Sequence, residues 1–174
     1  MGRSLRLGIA FAGAAAFVAL APGFAQQHTS MPGMRMHETK STAPYHPGLG
    51  DLMTAFVQPR HIKLGLAGAE QNWDYAAYAL GELREAFDDI GTLVPKHDKL
   101  AVPDAIASTV KQPMEALAAA IKAKDQTAFT KAYTDLTASC NACHQSADHP
   151  MIVIKAPTVS GAAFPDQDFS PVKK

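Results

Sequence analysis

The chain has 174 residues, 47% of them hydrophobic and 18% charged, proportions that fit one domain with a packed core and exclude a chain disordered throughout. Sixteen basic and sixteen acidic side chains cancel, so no global field favours nucleic acid or an anionic membrane surface.

The first 25 residues read as a targeting segment. Arg3 and Arg6 precede an apolar run from Leu7 to Leu20, which closes on Ala21-Pro22-Gly23-Phe24-Ala25, small residues suited to signal peptidase. About 17 apolar residues can just span a bilayer, so a retained anchor is the competing expectation. The Gly and Ala content of the run favours cleavage and a periplasmic location. Loss of Arg3 and Arg6 leaves 14 basic against 16 acidic residues, a mature charge of 14 − 16 = −2. No twin arginine precedes the run, so the polypeptide is expected to cross unfolded and to acquire a cofactor afterwards.

Residues 26–46 are polar and broken by Pro32, Gly33 and Pro44, as a linker is. They carry His28, Met31, Met34, Met36, His37 and His46, thioether and imidazole groups suited to copper. A flexible tether is the plainer expectation, because no ligand geometry is implied.

Four amphipathic segments follow. The first, residues 48–67, repeats Leu49, Leu52, Met53, Phe56, Val57, His61 and Leu64 at three- and four-residue steps, one buried helical stripe. Pro59 has no amide to bond back to Ala55, so a kink or restart is expected near Gln58. Asn72 is a plausible cap for the second helix, whose stripe is Trp73, Ala76, Ala77, Leu80, Leu83, Phe87 and Ile90, with Gly91 as its end. A long connection with Pro95 leads to a third helix over residues 103–124, split by Pro113. Asp125 caps a fourth, in which Phe129, Ala132, Tyr133, Leu136, Cys140 and Cys143 face inward. Trp73 and Tyr133 read as core residues, and His97 and His149 as solvent-facing loop residues. No strand pattern precedes Met151.

The expected fold class is all-α: an antiparallel up-down four-helix bundle with a C-terminal extended tail. Its boundaries are 1–25 signal peptide, 26–46 linker, 47–148 bundle and 149–174 tail. The apolar run Ile152-Val153-Ile154 is an aggregation liability if exposed, so the tail is expected to lie back on the bundle.

The chemistry sits in Cys140-Asn141-Ala142-Cys143-His144. In C-x-x-C-H each sulfur adds to one haem vinyl group, three-residue helical spacing turns both thiols toward one edge, and the next histidine reaches the iron. A zinc site needs two further ligands at metal spacing, and a redox dithiol needs a thioredoxin-like strand pattern; neither is visible. One covalent haem c is therefore expected, with His144 as the proximal ligand.

The motif ends the last of four helices. In this the chain resembles the class II cytochromes c, the four-helix-bundle family of cytochrome c-prime and its low-spin relatives, over residues 48–144. Asp148 stands where cytochrome c-prime usually carries an arginine, and the tail is an addition. The resemblance implies a homodimer through the first two helices.

What faces the other side of the iron decides the function. Measured from the bundle turns at 1.5 Å per residue, His144 lies about 28 Å along its helix, Met53 about 22 Å and His61 about 10 Å. Met53 is therefore the expected distal ligand, as the methionine on the first helix is in low-spin relatives, with His61 the alternative; the plain roles are core filling for Met53 and, for His61, a partly buried histidine beside Arg60 and Lys63. Met151 follows His144 too closely to reach the distal face.

The leading expectation is an electron-transfer protein serving a periplasmic or membrane-bound redox partner, and not an enzyme. No acid, base or nucleophile constellation appears, and Glu82, Glu85, Asp88 and Asp89 read as a solvated helix face. The alternatives are a five-coordinate haem protein that binds nitric oxide or carbon monoxide, and a copper protein using the linker.

Overall fold

The structure, a computed structural model, describes residues 45–158, 164 and 166–172. The signal segment and the linker, apart from Tyr45 and His46, lie outside the described residues, as do the linker's other Met and His side chains.

The first helical rod has three sections: α1 (Leu49–Leu52), a π-helical turn (Met53–Val57) and α2 (Gln58–Ala69). Backbone angles stay right-handed through both junctions, and the Gln58 amide bonds to the Met53 carbonyl five residues back. Pro59 explains the widening. It offers no amide, and its ring would collide with the carbonyl four residues earlier in a regular α-helix. The expected disturbance near Gln58 is thus a π bulge, and the Arg60 guanidinium donates to the Phe56 carbonyl inside it at 3.1 Å.

Helix α3 (Trp73–Leu93) starts at Asn72, whose side-chain oxygen accepts from the Tyr75 amide at 3.1 Å. It runs past Gly91, contrary to the expected stop. The end comes at Val94, whose backbone leaves the helical region (φ −128°, ψ 72°), because the residue before Pro95 is pushed out of it. A second correction follows at once: β1 (Lys96–His97) and β2 (Leu100–Ala101) pair antiparallel around Asp98, at φ 51°, where no strand was expected.

Helix α4 (Val102–Ala123) is continuous. Pro113 lies inside it and does not split it; the proline is buried in the same stripe as Val110, Met114 and Leu117, so side-chain packing on both halves outweighs the lost backbone bond. Lys124 closes α4 in left-handed conformation. Asp125 then caps α5 (Gln126–Ser146), accepting from the Ala128 amide at 3.0 Å.

The described residues are mostly helical, and their core is built from the inward stripes of α2 to α5, with Leu64, Leu83, Ile90, Leu117 and Leu136 nearly inaccessible. Helix pairs α2/α3, α3/α4, α4/α5 and α2/α5 are in contact. Among the described residues no helix is long and apolar enough to cross a membrane.

Two glycines set how closely α2 and α5 approach. A Cβ at Gly68 would run into the Phe129 ring, and one at Gly65 into the Tyr133 hydroxyl and Pro157. Contacts pair His61 with Thr137, Gly65 with Tyr133 and Gly68 with Phe129, so numbers rise along α2 as they fall along α5 and the two helices are antiparallel.

The C-terminal segment follows these helices. The Asn141 side chain bonds both polar groups of Ile154, donating to its carbonyl at 2.9 Å and accepting from its amide at 2.7 Å. Pro157 lies by Gly65, the Lys63 ammonium sits 4.8 Å from the Phe164 ring centre, and Phe169 is 1% exposed. Asn72 donates to the Phe169 and Ser170 carbonyls, and Gln167 to the Tyr75 hydroxyl. Met151, Ile152 and Val153 nevertheless keep exposed side chains; polar bonds to the backbone hold this stretch, not the burial of its apolar groups.

Candidate functional site

Cys140, Cys143 and His144 occupy the last turns of α5, spaced three and four residues apart and so on one side of the helix. Both thiols are free. Cys140 packs against the core, and burial first, then the neighbouring Cys143, pushes its thiol up to about 11. Addition of an S–H across a vinyl group requires a thiol not tied up in a disulfide, and neither of these is.

His144 is half-buried, and its Nδ1 lies 3.0 Å from the Ile152 carbonyl oxygen. A carbonyl only accepts, so Nδ1 carries a proton, and in the neutral imidazole Nε2 is left with the lone pair. That is the tautomer of a metal-bound imidazole, whose second nitrogen typically donates to a backbone carbonyl or carboxylate. The donor set fits a covalently tethered haem: two unpaired thiols and, one residue on, an imidazole with its outer nitrogen committed.

His61 is 3% exposed, and α5 takes up both of its ring nitrogens. Nδ1 lies 3.0 Å from the Tyr133 hydroxyl and Nε2 3.0 Å from Thr137 Oγ1, while the rings of His61 and Tyr133 stack 4.7 Å apart. Tyr133 also donates to the His61 carbonyl at 2.8 Å, and Thr137 to the Tyr133 carbonyl at 2.9 Å. Burial lowers the histidine to about 4, so the ring is neutral. Its one proton serves one hydroxyl oxygen; the other hydroxyl has a single proton, shared between the second ring nitrogen and the backbone carbonyl that it also faces. Sequence reasoning foresaw a partly buried histidine beside Arg60 and Lys63; the ring is instead the centre of a buried polar cluster. Its partners lie 72 and 76 residues away, and no local signal marks them.

Met53 begins the π turn, half-buried and packed against the core. His97 and His149 are half-buried, not wholly in solvent, with ring centres 6.4 Å apart. A cleft of about 620 Å³ lies elsewhere, between α3 and α4, lined by Phe87, Gly91, Pro103, Val110 and Met114 among others. Among the described residues no three His, Cys, Asp or Glu side chains come together to hold a metal ion.

Asn141, between the two cysteines, is the residue that motif reading passed over. Its role depends on a tail segment thirteen residues away.

Comparison with protein-family models, with curated proteins and with solved structures finds no match for this chain.

Proposed function

We propose that the chain is an exported c-type cytochrome that transfers electrons, with one haem c attached through Cys140 and Cys143, His144 as proximal ligand and Met53 as distal ligand. The observation that carries this reading is the Nδ1 contact of His144 with the Ile152 carbonyl, which leaves the Nε2 lone pair for a metal one residue beyond two free thiols. Haem supplies the redox centre. The chain's own residues tether it, orient the imidazole and exclude water.

The finer architecture proposed is the antiparallel up-down bundle of the class II cytochromes c, supported by contacts between successive helices and between α2 and α5. The α2/α5 register supports Met53. Its pairs His61 with Thr137 and Gly68 with Phe129, continued downward through the one extra residue of a π turn, bring residue 53 level with residue 144 to within about one residue. His61 is the weaker candidate, since an iron bond would cost it a hydrogen bond to α5. A methionine–histidine iron has a higher potential than a bis-histidine one, and ligands fixed on both faces keep reorganisation small.

The haem-loaded protein tests the reading. Pigment that stays with the polypeptide in acidified denaturing solvent, sharp low-spin ferrous bands and no response to carbon monoxide are expected. Pigment that washes away removes covalent attachment, and a carbon monoxide complex returns the site to gas binding. The proposed setting is the periplasm, with a redox partner there or in the membrane.

A further inference from the structure

We infer that Asn141 is a positioning residue for the axial histidine, acting through the C-terminal segment; this rests on the haem reading above. The two bonds from its side chain to the amide and carbonyl of Ile154, at 2.7 and 2.9 Å, fasten a segment with no helix or strand of its own. Two residues earlier, the Ile152 carbonyl meets His144 Nδ1 at 3.0 Å. One backbone bond, from the Ile152 amide to the His149 carbonyl at 3.1 Å, holds the start of residues 152–154, and the side chains of Ile152 and Val153 are exposed, so the Asn141 clamp is what fastens the far end. The primary amide is suited to this work because it donates and accepts at once, as the backbone of an extended residue requires. Of the two residues between the cysteines, Asn141 therefore determines where the acceptor for the imidazole proton sits.

The consequence is electronic as well as structural. An Nδ1–H that donates to a carbonyl makes the imidazole more basic and its Nε2 a stronger donor, and a stronger donor favours the ferric over the ferrous state. Losing the clamp should raise the reduction potential and expose the Nδ1 proton to water.

The experiment uses the haem-loaded full chain and compares the parent with Asn141→Ala, with Ile154→Pro, which deletes the amide while leaving the C-x-x-C-H motif intact, and with Lys155→Ala as control. The readouts are the midpoint potential and, by NMR of the ferrous protein, hydrogen exchange at His144 Nδ1. Both clamp variants should show a raised potential and Nδ1 exchange about tenfold faster or more, since two bonds are lost in one and the amide bond in the other; Lys155→Ala should match the parent. If Asn141→Ala hinders haem attachment, Ile154→Pro carries the test alone. Unchanged potential and exchange in a haem-loaded clamp variant overturn this inference and leave the cytochrome reading standing. A parent chain that takes up no haem overturns both.

Discussion

The His61 imidazole lies against the Tyr133 ring with centres 4.7 Å apart, and the Tyr133 hydroxyl reaches both the ring and the backbone carbonyl of the same histidine. This pair fastens α2 to α5 at one register. The fastening depends on pH, because the ring is buried neutral at about 4 while an unfolded histidine titrates at 6.5. Between those values the unfolded chain binds more protons, so stability is complete above pH 6.5 and falls as pH drops toward 4, by on the order of 3 kcal/mol in total. Urea midpoints measured from pH 7.5 to 4 should follow this slope in the parent and lose it in His61→Gln. Equal slopes in the two proteins would rule out a buried neutral ring.

Met53→Ala should leave haem attachment intact and convert the ferrous protein to one that binds carbon monoxide, with broadened visible bands. His61→Gln, by contrast, should keep the parent's spectrum. A Met53→Ala spectrum identical to the parent's contradicts the distal assignment.

Cys140 should react slowly in the haem-free, reduced chain. Its thiol moves from 9.0 to about 11, two pKa units and therefore roughly a hundredfold less thiolate at pH 8. Iodoacetamide should label Cys140 on the order of a hundredfold faster in urea than in buffer, as peptide mapping reads directly. Similar rates in the two solvents would mean that the thiol is not buried.

Two glycine substitutions should have opposite signs. At Gly68 a methyl group meets the Phe129 ring, so Gly68→Ala should cost about 2 kcal/mol through forced separation of α2 and α5. At Gly81, inside α3, nothing lies within 4 Å, and Gly81→Ala should add about 0.5–1 kcal/mol by removing backbone freedom from the unfolded chain. Thermal unfolding of the two variants checks the pair.

Phe169 anchors the tail beside Tyr75, with ring centres 5.6 Å apart. Phe169→Ala should destabilise the fold by about 3 kcal/mol, read as a lower urea midpoint. A midpoint equal to the parent's would show that the tail adds nothing to the stability of the helices.

Much of this architecture was legible because it is local. Apolar residues at three- and four-residue steps located all four helical stretches, and Asn72 and Asp125 announced their helix starts through side chains that serve amides three residues on. The errors fell where a local rule competes with packing or with a stronger neighbour. Gly91 weakens a helix less than the residue before Pro95 ends one, and Pro113 is outweighed by the buried stripe it belongs to. The short β1/β2 pair is too brief to leave a periodic pattern.

By itself the sequence determined the helices, the disturbance at Pro59 and the spacing of Cys140, Cys143 and His144, since each depends only on covalent separation along one stretch of chain. Only tertiary structure decided that His61 is held by Tyr133 and Thr137, that Phe169 returns to Asn72, and that Asn141 brings the Ile152 carbonyl to His144. Those contacts join segments whose meeting depends on the packing of the whole core, and a hydrogen bond between them exists only once that packing has brought donor and acceptor to within about 3 Å.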